Sequence, residues 1–304
     1  MIDIDEIIKG LKKLELSTYP VEEVNLLINK IGLSAHIVVT FHRGKSILRA
    51  RPNYNYKRFL YKSQLSYRPQ VYNSTYQRAS TPNKSMFYGC IIPDKLEQGE
   101  LDNPRVVASI ESVPWIRDKT KSGYQKISYS RWIVRKDINL IAVVFKDSYY
   151  KESSFTRELV NAYKEFIKFH DEKLIERSLK IQDFLAHEFS KEDIENDYDY
   201  LISAIFSEYC VNHGFDGIIY PSVRAGGQGF NVAISPRSCN NLRLYAAGES
   251  SIYKRKDHMI IGNDTIMKYR GNKEKIKYKK IRNNRMEILD KLGVKNISEL
   301  KKAQ

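Results

Sequence analysis

Cysteine is scarce in this chain of 304 residues: Cys90, Cys210 and Cys239 are odd in number and widely scattered. A disulfide framework or a zinc knuckle is therefore excluded, and a reducing compartment, the cytoplasm, is the expectation. Long apolar runs are missing too. The longest, Leu140 to Phe145, has six residues, far below the roughly 18 that a membrane span needs. The opening Met1-Ile2-Asp3-Ile4-Asp5-Glu6 is acidic, which argues against a secretion signal. No Walker loop, GxSxG elbow, HExxH helix or kinase set occurs, so the chemistries those motifs carry lose their usual support. The six histidines keep no ligand spacing to cysteines or paired carboxylates, and no metal is expected.

What is present is a chain able to fold. With 42% hydrophobic and 29% charged residues it can bury a core, in one large domain or two modest ones. The formal charge is +15, and residues 251–304 hold 16 Lys+Arg against 6 Asp+Glu, so the excess is concentrated there. The run Lys273-Glu274-Lys275-Ile276-Lys277-Tyr278-Lys279-Lys280-Ile281-Arg282 could track phosphates, with Tyr278 stacking on a base. The same alternation describes a half-exposed, solvated edge strand. That plainer reading is preferred, and nucleic acid is not expected as a substrate.

Periodicity predicts an amphipathic helix over 3–14, a second from Pro20 to the stop at Gly32, and a strand from Ala35 to Phe41 continued at Ile47-Leu48. Residues 53–84 are polar and aperiodic, a length typical of binding loops or lids. Strands follow at Met86–Ile92, Ile127–Val134 and Leu140–Phe145, with a short amphipathic piece at Val106–Val113 between the first two. A helical region spans about 154–189, and another helix runs from Tyr198 to Cys210. Ile218–Tyr220 and Phe230–Ile234 read as neighbouring strands across Gly226-Gly227-Gln228-Gly229, a flexible connector, and Leu242–Ala247 completes the strands. Short amphipathic helices are expected again over 285–304, with Met286, Leu289, Leu292, Ile297 and Leu300 apolar. Without a regular βαβ alternation, the class is α+β.

Several polar residues close these strands: Arg49 and Arg51, Arg78 before Pro82, Tyr88, Glu111 in Ala108-Ser109-Ile110-Glu111, and Ser222 after Tyr220-Pro221. Their order, with Gly214-Phe215-Asp216-Gly217 before the strand and Gly229-Phe230-Asn231-Val232-Ala233 after the glycine loop, resembles the RES-domain family. The resemblance covers about residues 47–235, and its specific part is the carboxy-terminal block.

The resemblance implies an ADP-ribosyltransferase-like split β-sheet core with helical insertions and a helical N-terminal segment. It divides the chain into that segment (1–34), an NAD-binding catalytic domain (35–250, with a helical insertion over about 146–213) and a basic C-terminal extension (251–304). It implies an NAD-degrading enzyme, a glycohydrolase or phosphorylase, acting as a bacterial toxin or defence effector. Transfer of ADP-ribose to a protein, or nucleic-acid binding by the basic tail, are the alternatives. NAD is then the substrate, phosphate a possible second one, and an antitoxin protein or a second copy of the chain possible partners. The catalytic set is Glu111, Arg51 and Tyr88, and the binding set is Arg49, Arg51, Arg78, Tyr88, Ser222 and Asn231. The chemistry suits these types. A carboxylate beside the ribose stabilises an oxocarbenium, arginine forks match pyrophosphate, and a tyrosine ring packs on nicotinamide. Glu111 is preferred to Glu97 and Glu100 because Ala108-x-x-Glu111 matches the family spacing. Which of Arg49, Arg51 and Arg78 meets the pyrophosphate stays open.

Overall fold

The computed structural model describes residues 3–32, 36–268, 273–282 and 284–302. Apolar spacing dictates its first elements. Helix α1 (Ile4–Lys13) buries Ile4, Ile7 and Leu11 and is capped by Asp3, whose carboxylate accepts from the Asp5 amide at 3.0 Å. Helix α2 (Val21–Ile31) buries Val24, Ile28 and Ile31 and ends at Gly32, whose φ of 71° suits glycine alone without strain. The strand expected from Ala35 is β1 (Ile37–Phe41); Ala35 itself, and the 34/35 domain boundary, lie outside the described residues.

Strands β2 (Ser46–Pro52), β3 (Phe87–Ile91), β4 (Gly123–Val134), β5 (Ile138–Ala142), β6 (Gly217–Pro221), β7 (Phe230–Ile234), β8 (Leu242–Arg255) and β9 (His258–Asn263) join β1 in one sheet, ordered β1-β5-β6-β7-β3-β2-β4-β8-β9. Every contact is antiparallel except β5–β6. Helix α3 (Pro104–Ser112) replaces the short amphipathic piece, and the long helical region resolves into α4 (Asp147–Glu152), α5 (Ser154–Ile167) and α6 (Glu172–Phe189). Asp171 makes the break before α6 by capping it, its carboxylate accepting from the Leu174 amide at 3.0 Å. Helix α7 (Leu201–Asn212) follows, so the chain is α+β.

Helices cover both faces of the sheet. On one, α1, α2, α6 and α7 pack on Ile141, Ile218 and Tyr220, and α3 places Val107 and Ala108 on Leu48 and Cys90. On the other, Ile47, Phe87, Ile219 and Val232 meet Val160 of α5 and Leu65 of the polar loop. Between β2 and β3 the sheet is joined by the single pair Leu48↔Cys90. Beyond it the strands part, and Arg49 reaches across to donate from Nη1 to the Tyr88 carbonyl at 2.5 Å.

The strand inventory does not end at Ala247. Strand β8 runs through residue 250 and pairs along all of β4, from Leu242↔Val134 to Lys254↔Gly123. Past it lie β9, a β10–β11 ribbon (Thr265–Lys268 with Lys277–Lys280), and helices α8 (Arg285–Lys291) and α9 (Ile297–Lys302). The signal is hidden because this stretch buries polar residues. Lys254, only 3% exposed, donates its ammonium to the carbonyls of Asp118 and Lys121 at 2.8 and 2.6 Å. Tyr253, Ile288, Leu289, Leu292 and Leu300 form a core of their own, whereas Met286, expected to join them, is exposed.

The 53–84 segment has no strand and only single 3-10 turns. It is nevertheless held down by the tail: Ile276 N donates to Leu60 O at 2.7 Å, the Tyr278 hydroxyl to Phe59 O at 2.9 Å, and Arg58 pairs with buried Glu249 at 2.5 Å.

Candidate active site

Helix α3 carries Glu111 in its last turn, over the seam between β2 and β3. Its Oε1 accepts from Ser222 Oγ at 2.5 Å and from Asn231 Nδ2 at 2.8 Å. Both donors are buried, Ser222 completely and Asn231 to 7% exposure, so the carboxylate satisfies groups that would otherwise be costly. Oε2 has no hydrogen-bond or ion-pair partner among the described residues. Asn231 is in turn oriented by Cys90, whose Sγ donates to Oδ1 at 3.2 Å; burial pushes that thiol well above its ordinary pKa. Ser222 also caps a 3-10 turn, Val223–Ala225, accepting from the Ala225 amide at 3.2 Å.

The glycine connector after that turn is packed rather than flexible. A Cβ on Gly227 would stand 2.4 Å from the Tyr149 ring, and one on Gly229 2.8 Å from Val107. Gln228 accepts from the Leu101 amide at 2.8 Å. Close packing fixes this loop, and through it Ser222, against α3.

Glu111 opens onto a cavity of about 370 Å³, within the usual range for small-molecule sites. Arg49, Arg78, Arg117 and Arg224 line it, and among the described lining residues Glu111 is the one carboxylate. Tyr88, Tyr200 and Tyr220 supply aromatic walls. Four guanidinium groups facing one acid leave a field that calls for an anion. A larger depression of about 720 Å³ near Arg43, Lys136 and Arg243 has no carboxylate, hydroxyl or aromatic side chain in its lining, so it offers nothing for bond-breaking.

The expected residues divide unevenly. Glu111, Tyr88, Asn231, Arg49 and Arg78 line the cavity, and Ser222 lies directly behind Glu111. Arg51 does not. Leu48 and Ala50 face α3, so the alternating Arg49 and Arg51 belong to the opposite face. Arg49 still meets the cavity where the sheet parts, but Arg51 stacks on Phe59 at 4.7 Å and donates to Gln64 O. Burial, then the neighbouring Arg51, lower the Arg49 pKa to about 10, and its buried Nε has no hydrogen-bond partner among the described residues.

Arg78 is half committed to structure. Its Nη1 and Nη2 donate to Phe189 O and Lys191 O at 2.6 and 2.8 Å, closing the carboxy end of α6, and it lies 5.1 Å from the Tyr200 ring. The Tyr88 hydroxyl bonds the Ala79 amide at 3.0 Å and Ser80 Oγ at 2.8 Å, with its pKa pushed up to about 12 by burial. That leaves the ring, not the phenol, for a ligand. Glu97 and Glu100 are elsewhere, pairing with Arg157 and bonding Ser154.

Two arginines escape sequence reasoning. Arg117 donates from Nε to Ile110 O at 2.8 Å and from Nη2 to Glu111 O at 3.0 Å, which clamps the end of α3. Burial first, then Arg224, pull its pKa below the ordinary value. Arg224, half-buried, has no hydrogen-bond or ion-pair partner among the described residues. The available signal was proximity in sequence, six residues past Glu111 and two past Ser222. No family model matches this chain, and a search of curated proteins finds no match either.

Proposed function

We propose that this cavity binds NAD and that the protein cleaves the nicotinamide–ribose bond, with water or phosphate as acceptor. The observation that carries the reading is the Glu111 carboxylate: one oxygen is fixed by Ser222 and Asn231, and the other, without a partner among the described residues, faces an arginine-rich cavity. As the bond breaks, its electron pair leaves with the nicotinamide nitrogen and neutralises the ring, while positive charge develops on the ribose. A preorganised anion beside that ribose stabilises the developing charge, and more strongly in a site that excludes water. Water then adds its oxygen to the anomeric carbon and releases a proton, giving ADP-ribose; phosphate in its place gives the 1″-phosphate.

Arg224 supplies a forked donor for the pyrophosphate, Arg117 and Arg49 add the N–H groups that their carbonyl contacts leave over, and the Tyr88 ring gives a surface for nicotinamide. The seam at Leu48↔Cys90 supports the split sheet that the RES resemblance implies. The test is purified protein with NAD, with and without phosphate, and nicotinamide measured by chromatography. Free nicotinamide with ADP-ribose or its phosphate is expected, and label appearing instead on a protein would move the reaction to transfer. Absence of both nicotinamide release and NAD binding would refute the proposal.

A further inference from the structure

The charge excess of the tail is not used by the cavity, and the fold gives it a definite shape. In the β10–β11 ribbon, Met267 and Tyr278 pair and turn inward onto the core, as does Ile276 before them. Alternation therefore turns Lys275, Lys277 and Lys279 outward in one row, and all three are exposed. Opposite them stand Tyr61, Lys268 and Ile266, respectively. Tyr61 and Ile266 are 43% and 50% exposed, so an aromatic and an aliphatic side chain share this outward face with the lysines.

Lys268 directly opposite Lys277 is a like-charge cross-strand pair, which weakens a ribbon that two strands alone hold only marginally. None of Lys268, Lys275, Lys277, Lys279, Lys280 and Arg282 has an ion-pair partner among the described residues. The acids nearby are engaged elsewhere: Glu274 accepts from the Ser63 amide at 2.7 Å, and Asp264 from Ser251 Oγ at 2.6 Å. The ribbon is also rigidly mounted. Arg58 spans Glu249 and the Tyr278 ring, and Gly248 lets the Thr265 carbonyl come within 2.4 Å of where a Cβ would sit.

We propose that the outward face of β10–β11, with Tyr61 docked beside it, binds single-stranded nucleic acid without sequence preference. The lysine row would follow the phosphates and Tyr61 would stack a base, the combination on which such binding rests. Deleting the tail cannot test this, because β8, β9 and the Tyr253 core would go with it. The experiment is anisotropy of labelled oligothymidylate, oligouridylate and a duplex of equal length, titrated with full-length protein at several salt concentrations.

The variant K268Q/K277Q/K279Q should lower the slope of log K against log salt by about 2, from three contacts at roughly 0.7 each. Tyr61→Ala should weaken single-strand binding roughly tenfold and leave most of the salt slope. K9Q/K13Q/K30Q, equal in charge and remote on α1 and α2, should change little. Lys277→Gln alone should hold or raise the melting temperature of the free protein, since it removes a repulsive pair. Absent wild-type binding, an unchanged slope in the triple variant, or an equal loss in the control overturns the proposal. A duplex bound as tightly as the single strands, with Tyr61→Ala silent, overturns the stacking role.

Discussion

Replacing Glu111 by glutamine separates the chemistry of the cavity from its architecture. Both protein bonds, from Ser222 and Asn231, end on Oε1, and the glutamine carbonyl can accept both while its amide takes the place of the free Oε2. Stability should then fall by only about 1 kcal/mol, as two charge-assisted bonds become neutral ones. Alanine is the poorer probe. It strands the buried Ser222 hydroxyl and Asn231 amide, which costs on the order of 2–4 kcal/mol for two unsatisfied groups and confuses unfolding with inactivity. If the free carboxylate oxygen stabilises the ribose cation, Glu111→Gln should lower kcat by about 10²–10³, the range for loss of one preorganised electrostatic contact, and leave KM nearly unchanged. Nicotinamide release gives the rates and a urea titration gives the stability. Undiminished turnover in a folded Glu111→Gln protein would refute the role assigned to this residue.

Arg224→Ala should raise KM for NAD about tenfold with little loss of stability, because the side chain has no hydrogen-bond or ion-pair partner to abandon among the described residues; steady-state kinetics and urea midpoints check both halves. Arg58→Ala should cost about 2–3 kcal/mol in urea unfolding, less than a fully buried pair because Arg58 is 42% exposed, and Glu249→Gln in the same chain should restore part of it. His36 lies beside Phe206, its Nδ1 accepts from Gln182 Nε2 at 3.0 Å, and burial lowers its pKa to about 4. Between pH 6.5 and 4 the unfolded chain binds a proton that the folded chain does not, so stability should fall with pH across that window, by up to about 3 kcal/mol. His36→Leu should flatten that part of the curve in acid titrations of the melting temperature.

The elements legible in the sequence are those whose burial is periodic. The Ile4, Ile7, Leu11 stripe and the Ile218–Ile219 and Phe230–Ile234 runs place α1, β6 and β7 within a residue or two. Alternation correctly puts Arg49 and Arg51 on a common face, but a strand alone does not say which face a helix will cover, and α3 covers the other. Arg78 has a use that no local pattern can show, since its acceptors lie at Phe189 and Lys191, more than 100 residues away. The second half of β8 is obscured because Ser250, Ser251 and Lys254 are buried through hydrogen bonds rather than through apolar surface. Arg117 and Arg224 carry no motif; only the three-dimensional convergence of α3 with the turn after β6 brings them together.

The continuity of β8 bears on when this protein can complete itself during synthesis. Until the ribosome has released residues 242–255, the outer edge of β4 has no neighbour along its twelve residues, and a bare edge of that length invites pairing with other chains. Products terminated before β8 should therefore be sticky and short-lived instead of forming a smaller stable protein, which ties any function of the cavity to a strand that follows its last lining residue, Asn231.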